Sequence, residues 1–284
     1  MAASQSYYGK VARRFLRSPL GVIGLVLLLV NIVGAVGYEV IAPYPYAEIH
    51  PRDILHEPSQ EYPFGTDNLG RDTLSRVIYG ARISLGVMTI STGLALVVGV
   101  PVGLISGYMG PLADALIMRI IDAWLAFPAL ILALAIVAIL GPGLFNTMIA
   151  VAIVNMPRTA RLVRGEVLRL REQEYVTAAR ALGASKRRIL LRHIYPGTLG
   201  STIVFASLLA SQAIITESSL SFLGLGAQPP EPSWGSMIAM GTRYWNHAWW
   251  LSFFPGLAIF LTVFALSFVG DALRDALDVR LGHN

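Results

Sequence analysis

The chain has 284 residues, of which 55% are hydrophobic and only 14% are charged. Soluble proteins average about 25% charged residues, and the apolar residues here come in runs too long for a soluble core, so the composition excludes an ordinary soluble protein and indicates a polytopic membrane protein. The net charge of +5 does not indicate nucleic-acid binding, because the basic residues cluster beside apolar runs as the positive-inside rule expects.

The N-terminal region, residues 1–18, is a basic tail, and a first membrane span is predicted over residues 19–42. Ser18 and Pro19 form an N-cap and first-turn signal. The apolar run that follows can cross a ~30 Å hydrocarbon core at ~1.5 Å per residue. A cleaved signal peptide is the alternative, because basic residues precede the run and Ala35-Val36-Gly37 is a weak cleavage-like triplet. The length of the run favours an uncleaved span.

Residues 43–82 form a polar, proline-containing segment that is predicted to lie outside the membrane. Asp67 can cap a short amphipathic helix in which Leu74, Val77 and Ile78 share one face. The residues alone therefore predict a surface helix that rests at the membrane interface.

Five further spans are predicted within the core of the protein, residues 83–272. The second span is rich in glycine and small residues, which allow close helix packing. The fourth is short and contains Asn155 and Pro157, as a pathway-lining helix can. Asp122 lies one turn from Arg119 at the start of the third span, where an interfacial ion pair and a functional role are both open. In chain order, the predicted second to sixth spans are 83–108, 114–140, 144–158, 198–225 and 249–270.

The fifth predicted span contains a single carboxylate, Glu217. A buried charge in a membrane is costly without a partner or water. Two roles stay open for it: a gate or pathway group, and a structural hydrogen-bonded group near the outer surface. An external loop, residues 226–247, follows this span, and a short tail, residues 273–284, ends the chain.

A long polar segment, residues 159–196, separates the fourth and fifth spans. Within it Tyr175, Ala178, Ala179 and Leu182 recur at helical spacing and form one face rich in small side chains. Alanine offers little chemistry but allows close backbone approach. The face is therefore interpreted as a docking surface.

This segment also carries the signals of a helix end followed by a helix start. Gly183 can adopt a positive φ and end the first helix, and Ser185 can cap the second. Lys186, Arg187 and Arg188 then occupy a first turn, where the helix macrodipole disfavours cations. A cytoplasmic lipid surface or an acidic partner is expected to stabilise them there.

The spacing of this segment resembles the EAA loop of ABC importer permeases, in residues Glu174, Ala178, Ala179, Gly183 and Pro196. The usual loop has aliphatic residues at two positions before the proline, whereas this chain has His193 and Tyr195, a departure that resembles the dipeptide/oligopeptide branch. The resemblance implies that the loop is a coupling helix that enters a groove on a cytoplasmic ATPase. The residues expected to dock and transmit force are Glu174, Ala178, Ala179, Gly183 and Ala184.

A second resemblance covers residues 63–85, PFGTDNLGRDTLSRVIYGARISL, which look like the segment before the second span in the C-type subunit of peptide and nickel importers. Together the two resemblances imply an all-α type I importer transmembrane domain with six transmembrane helices. They also imply a second permease subunit as partner, two ATPase subunits, and an external substrate-binding protein. The expected cargo is a dipeptide or oligopeptide, with nickel chelates, glutathione and oligosaccharides as alternatives within the family.

The chain is not expected to be an enzyme or to hold a cofactor. It contains no G-x-x-x-x-G-K-[ST] loop, so ATP and Mg²⁺ are expected on partner ATPase subunits. Its five histidines are scattered without metal-ligand spacing, it has no cysteine, and it has no G-x-S-x-G or H-E-x-x-H motif. Most basic residues fall in the two terminal tails and the central polar segment, which predicts that both termini are cytoplasmic. The family resemblance implies that the membrane is a prokaryotic plasma membrane.

Two other functions compete with the importer. An ion-coupled secondary carrier would use Glu217 or Asp122 as the coupling site, and its uptake would follow a proton or sodium gradient without an ATPase. A receptor or scaffold would use the alanine-rich loop only to recruit a soluble protein, and would show binding without flux.

Overall fold

The computed structural model describes residues 7–277, a range built of helices with no β-strand beyond an isolated bridge between Thr66 and Asp72. The predicted all-α membrane fold is confirmed. Residues 1–6 and 278–284, which belong to the two predicted tails, lie outside the described residues. The elements are α1 (Tyr7–Arg17), α2 (Pro19–Val36), α3 (Tyr38–Ile41), α4 (Thr73–Tyr108), α5 (Pro111–Leu125), α6 (Ala129–Leu140), α7 (Leu144–Leu170), α8 (Glu174–Ala181), α9 (Lys186–Ile189), a π-helical turn (Leu190–Ile194), α10 (Tyr195–Phe222), α11 (Trp234–Thr242) and α12 (Trp250–Leu277).

Four continuous helical segments in the described range are long and apolar enough to cross a membrane: α2, α4, α9 together with α10, and α12. Helices α5 and α6 form a fifth candidate as a pair, bent by 89°. Helix α7 is 27 residues long, but its second half carries several arginines. The total of six spans therefore stays a prediction.

Helix α4 begins earlier than expected, at Thr73 rather than at residue 83. The predicted short helix is the first part of this 36-residue helix, and its cap is Asp72, which accepts a hydrogen bond from the Ser75 N–H at 2.8 Å. The prediction that Asp67 caps it is wrong. The carboxylate of Asp67 is instead occupied by Arg71, through the backbone N–H at 3.0 Å and Nε at 2.7 Å.

The third predicted span is not one helix, because the chain breaks between α5 and α6. Pro128 lies at this break. Proline has no N–H to donate and disfavours helical geometry in the residue before it. Both properties favour a break of the helix at this position.

Helix α7 continues well past its predicted end near Arg158 and runs to Leu170. Pro157 lies inside it without ending it. The continuation is stabilised by packing, since Val163 and Val167 beyond the proline are fully buried. The polar segment predicted from residue 159 is therefore a loop only after residue 170.

The helix that follows the loop is continuous with the fifth predicted span, which was expected to begin only at residue 198. Pro196 stands in the first turn of α10, which joins α9 through the π-helical turn. The Tyr195 N–H donates to the Leu190 carbonyl, five residues back, instead of four. This wider turn shifts the hydrogen-bond register just before Pro196, which has no N–H to donate to an earlier carbonyl. The helix therefore continues past the proline.

Helices α4 and α7 pack closely because α4 presents a stripe of glycines at intervals of four residues. A Cβ on Gly103 would lie 2.5 Å from the Ala160 carbonyl oxygen, and one on Gly107 would lie 2.7 Å from Val167 Cβ. Small residues allow this backbone approach between membrane helices. The glycine-rich packing predicted for the second span is thus found, with α7 as the neighbour.

The two ends of the helix bundle are distinct. The C-terminal ends of α4 and α7 meet where Arg171 donates to the Gly107 carbonyl at 3.0 Å, beside α8 and α9. The start of α2 packs at the end of α12, because a Cβ on Gly21 would lie 2.5 Å from Ala272 Cβ. Arg274 near the end of α12 shares a cleft with Arg169 of α7. The described parts of both termini therefore lie at the same end as the polar loop, which we call the loop end.

The opposite end is closed by the segment between α3 and α4, the region around α11, and the start of α12. Trp250 donates from its indole N–H to the Thr66 carbonyl at 3.1 Å, and Trp234 donates to the Val77 carbonyl at 3.0 Å. Both tryptophans are almost fully buried. Tyr62 lies in the segment between α3 and α4, and its burial raises the pKa of its hydroxyl to about 12. The hydrogen bond that this hydroxyl donates to Asp53 at 3.2 Å adds to the effect.

Candidate coupling loop

The loop that connects α7 to α9 contains the short helix α8, which displays the residues predicted to dock a partner. Glu174 opens α8 and is exposed. Ala178 is exposed as well, whereas Ala179 is half-buried and packs against the protein. The predicted small-residue face therefore divides. Tyr175, Ala178 and Leu182 point outward, while Ala179 and the unpredicted Val176 point inward.

The turn after α8 has the geometry that the sequence indicated. Gly183 has a φ of +79°, and its N–H donates to the Arg180 carbonyl at 3.0 Å. The Ala184 N–H reaches the Ala179 carbonyl at 3.1 Å. Ser185 then caps α9 by accepting from the Arg188 N–H at 3.3 Å. These bonds set the angle between α8 and α9.

The loop is fastened to the helix bundle by a buried apolar cluster. Val176 of α8, Ile189 of α9 and Ile194 of the π-helical turn are at most 1% exposed. They pack with Val163 and Val167 of α7. The packing therefore runs without interruption from α8 to α7, and from α7 through the glycine stripe to α4.

A large apolar side chain stands at the tip of this anchored loop. Leu182 is 88% exposed, and Tyr175 is 46% exposed. The Tyr175 hydroxyl donates to the His193 carbonyl at 3.4 Å, which ties α8 to the following helix. An exposed leucine on a rigid support between basic side chains is a surface suited to a partner with an apolar groove.

Two ion pairs join α5 to α7 near the loop end, and one of them corrects a prediction. Asp122 pairs with Arg161 at 2.5 Å and not with Arg119. Asp114 receives two hydrogen bonds from Arg164, at 2.5 and 2.6 Å. The local spacing of Asp122 and Arg119 was a weaker guide than the position of α7 alongside α5.

We expect Asp114→Asn to lower the stability of the protein more than Asp122→Asn does. The Asp114 side chain is 22% exposed and that of Asp122 is 62% exposed. An exposed ion pair contributes roughly 0.2–1 kcal/mol, and a bidentate, partly buried pair contributes about 1–3 kcal/mol. Thermal unfolding of the two purified variants in the same detergent gives the order. Equal melting temperatures would contradict the expectation that the Asp114–Arg164 pair stabilises the protein more than the Asp122–Arg161 pair does.

Glu217 lies fully buried on α10 within a group of serine hydroxyls. Ser221 donates to it at 2.7 Å, and Ser84 and Ser218 each donate at 3.3 Å. Within residues 7–277 no basic side chain pairs with it. Ser84 belongs to α4, so the carboxylate joins α4 to α10. The contacts favour the structural role over the gate.

Asn155, the remaining pathway candidate, is also buried. It lies on α7 with 2% of its surface exposed, and its backbone carbonyl accepts a hydrogen bond from the Thr159 hydroxyl at 3.2 Å. Among the described residues, no hydrogen bond or ion pair connects it with Glu217 or Asp122. The structure therefore does not bring the three pathway candidates into one site.

We expect Glu217→Gln to retain uptake and Glu217→Ala to lose stability by about 1–3 kcal/mol, since alanine removes the acceptor of several buried hydroxyls. Glutamine keeps an acceptor oxygen of similar size. A proton-coupling carboxylate behaves differently, because Glu217→Gln would then abolish transport. Uptake by proteoliposomes that contain each variant together with the expected partner subunits, alongside thermal unfolding of the variants, separates the two roles.

The anchoring residues of the loop were missed at the level of sequence. Val163, Val167 and Leu170 are spaced by four and three residues, which is a helical signal. This spacing indicates that α7 continues beyond Pro157. The three residues lie among arginines, however, and the arginines indicated a polar loop. The long-range contact with Val176 has no local signal.

Two family profiles match the chain. One describes a binding-protein-dependent transport system inner membrane component and matches residues 99–283, and the other describes the N-terminal transmembrane domain of oligopeptide transport permease C and matches residues 6–58. The first profile includes the whole coupling loop and the helices that anchor it.

Curated relatives cover nearly the full chain. The dipeptide transport system permease protein DppC of Alkalihalophilus pseudofirmus is 45% identical over 265 residues, which is 93% of this chain and 87% of the relative. The glutathione transport system permease protein GsiD of Pectobacterium atrosepticum is 45% identical over 270 residues, 95% of this chain and 90% of the relative.

A solved structure shares the fold. The permease chain from an inward-facing form of the MetNI methionine ABC transporter aligns with a TM-score of 0.60 at 20% identity, and the alignment covers 72% of this chain and 97% of that one. The helix arrangement around the loop is therefore that of an ABC importer transmembrane domain.

Proposed function

This chain belongs to the binding-protein-dependent transport system inner membrane components, the permeases of ABC importers, and from that premise we propose that it carries short peptides across a prokaryotic plasma membrane. The observation that carries the mechanism is the anchored loop, with Leu182 exposed at its tip. The observation that supports the cargo is that relatives of equal identity are named for dipeptides and for glutathione, itself a short peptide.

In the proposed mechanism, α8 and the turn at Gly183 dock in a groove of a cytoplasmic ATPase subunit. Glu174, Ala178 and Ala184 complete that contact. Closure of two ATPases around ATP and Mg²⁺ moves two such loops. The buried cluster passes the movement to α7 and α4, and the pathway opens alternately to the two sides of the membrane.

The remaining parts of the assembly are on other chains. A second, similar permease completes the pathway, and an external substrate-binding protein delivers the peptide. Both termini lie in the cytoplasm with the loop, an orientation supported by the shared loop end and by the basic residues of α1. This chain itself performs no hydrolysis in the proposal.

Affinity purification of the tagged chain in mild detergent tests the assembly. We expect a second permease and ATPase subunits to copurify. Proteoliposomes containing that complex should import a labelled dipeptide when the binding protein and ATP are supplied. Uptake by the chain alone, driven by an ion gradient, would overturn the importer.

A preference for nickel chelates or an oligosaccharide over dipeptides would overturn only the proposed cargo, and a preference for glutathione would narrow that cargo to one short peptide. Competition of each compound against the labelled dipeptide, in the same proteoliposomes, provides that comparison. The binding protein is included in every sample, because it contributes to selectivity in this proposal.

A further inference from the structure

A small basic pocket lies at the start of the helix that follows the coupling loop. It has a volume of about 310 Å³ and is lined by Ser185, Arg187, Arg188, Leu191 and Arg192. The three arginines are exposed. Since these residues follow Gly183 directly, the pocket adjoins the turn proposed to dock the ATPase.

The arginines have no anionic partner within the protein as described. No carboxylate among residues 7–277 forms an ion pair with Arg187, Arg188 or Arg192. Arg187 and Arg188 also lie in the first turn of a helix, where the positive end of the macrodipole adds to their mutual repulsion. An anion from outside the chain would relieve both effects.

An apolar groove continues from the basic pocket along the same helix. The groove has a volume of about 620 Å³ and runs between α4 and the helix formed by the π-helical turn and α10. Val97 and Pro101 line it on one side, and Leu191, Tyr195 and Leu199 line it on the other. Leu191 belongs to both the pocket and the groove, so the two spaces meet at its side chain.

The order of residues along the helix matches the order of groups in a phospholipid. Charged residues come first, at the loop end, and apolar residues follow towards the middle of the membrane span. Basic pockets between membrane helices on the cytoplasmic side bind the headgroups of anionic lipids. An acidic protein segment would not need the apolar groove, and a neutral lipid would not need three unpaired arginines.

We propose that this pocket and groove form a binding site for one anionic phospholipid of the inner leaflet. Its phosphate and headgroup lie against Arg188 and Arg192, with Arg187 and the Ser185 hydroxyl nearby. An acyl chain lies in the groove beside Val97 and Leu191. The occupied site stabilises the first turn after Gly183, so the position of the coupling loop depends on the lipid.

The test measures lipid retention by the full chain in nanodiscs of phosphatidylcholine with and without phosphatidylglycerol. Native mass spectrometry should detect retained phosphatidylglycerol on the unmodified protein. We expect the double variant R188Q/R192Q to bind it roughly 25-fold more weakly, because each basic side chain near an anionic surface contributes about fivefold in affinity. The double variant R52Q/R243Q is the matched control, since both arginines are exposed at the opposite end.

A second variant keeps the arginines and fills the groove. Val97 is 70% exposed, so V97W is expected to fold normally and to lower phosphatidylglycerol retention severalfold. Unchanged retention in V97W would overturn the assignment of the groove, and unchanged retention in R188Q/R192Q would overturn the whole site.

A further outcome identifies a protein partner instead. If R188Q/R192Q releases the ATPase subunits while its lipid retention is unchanged, the arginines bind a protein and the lipid proposal is wrong. The lipid measurement needs only the full chain in a nanodisc. It therefore stands or fails independently of the importer assembly.

Discussion

Replacing Gly183 with valine is expected to abolish ATP-driven peptide uptake while the chain still accumulates in the membrane. Gly183 has a φ of +79°, and no atom lies within 4 Å of the place a Cβ would occupy. The obstacle is therefore backbone conformation and not space. A β-branched residue in this region costs about 1–3 kcal/mol, so the turn changes shape to avoid it.

The new turn would separate the two halves of the coupling loop. The Ala184 N–H bond to the Ala179 carbonyl, at 3.1 Å, depends on the left-handed residue between them. Without this bond, Leu182 and α8 take a different angle to α9. Movement of the ATPases then no longer reaches α7, and ATP hydrolysis continues without transport.

Gly224 provides a matched control at the other end of the bundle. It also has a φ of +79° and no atom within 4 Å of a Cβ position. Gly224→Val therefore introduces the same local strain far from the loop, and uptake should fall far less. Uptake and ATPase rates are measured in the same proteoliposomes, with membrane levels by immunoblot. Normal uptake by Gly183→Val, or equal loss in both variants, would contradict the docking role.

A bulky residue at Ala179 is expected to uncouple the importer by a different contact. Ala179 is half-buried against the apolar cluster, so phenylalanine there lifts α8 from its support. Overpacking of this kind costs about 1–3 kcal/mol. Coupling, measured as peptides imported per ATP hydrolysed, should fall. An unchanged ratio would show that the support of α8 does not set coupling.

The features predicted correctly from the sequence are those determined by nearest neighbours. Ser18 and Ser185 accept hydrogen bonds from N–H groups three residues later, as cap residues do. Gly183 adopts the positive φ that ends α8. Each of these depends on a few adjacent residues, so the local pattern was sufficient.

The helix ends were predicted poorly because proline has no single outcome. Pro128 breaks its span, Pro157 lies inside α7, and Pro196 stands in the first turn of α10. After Pro157 the helix buries Val163 and Val167, and before Pro196 a π-helical turn adjusts the hydrogen bonds. These stabilising contacts come from distant parts of the chain, and a local pattern does not contain them.

The partners of charged groups were hidden for the same reason. Asp122 has a plausible partner one turn away in Arg119, yet it pairs with Arg161, 39 residues further along. Glu217 bonds to Ser84, 133 residues away. The resemblance of the two motifs to ABC importer permeases indicated the fold and the function. The specific contacts depend on how α5, α7 and α10 pack, and the local sequence does not contain that information.

Gly103→Ala is expected to destabilise the protein strongly, because Gly103 lies where α4 packs against α7. The added Cβ would lie 2.5 Å from the Ala160 carbonyl oxygen and 2.8 Å from Val163 Cβ. The carbonyl belongs to the backbone of a long helix and cannot move alone, so the two helices must separate. We expect a loss of about 1–3 kcal/mol and a clear fall in uptake. Gly103→Leu should prevent accumulation of the protein.

Gly93 tests whether the loss at Gly103 comes from helix contact or from the substitution itself. It lies on the same helix, and nothing stands within 4 Å of its Cβ position. Alanine favours a helix over glycine by about 1 kcal/mol, so Gly93→Ala should be neutral or slightly stabilising. At Gly103 alanine has the same helix preference, but the clash of its Cβ with α7 outweighs that gain. If thermal unfolding shows both variants to be equally stable, the coupling loop is not held to α4 through this stripe, and force from α7 must reach the pathway by another contact.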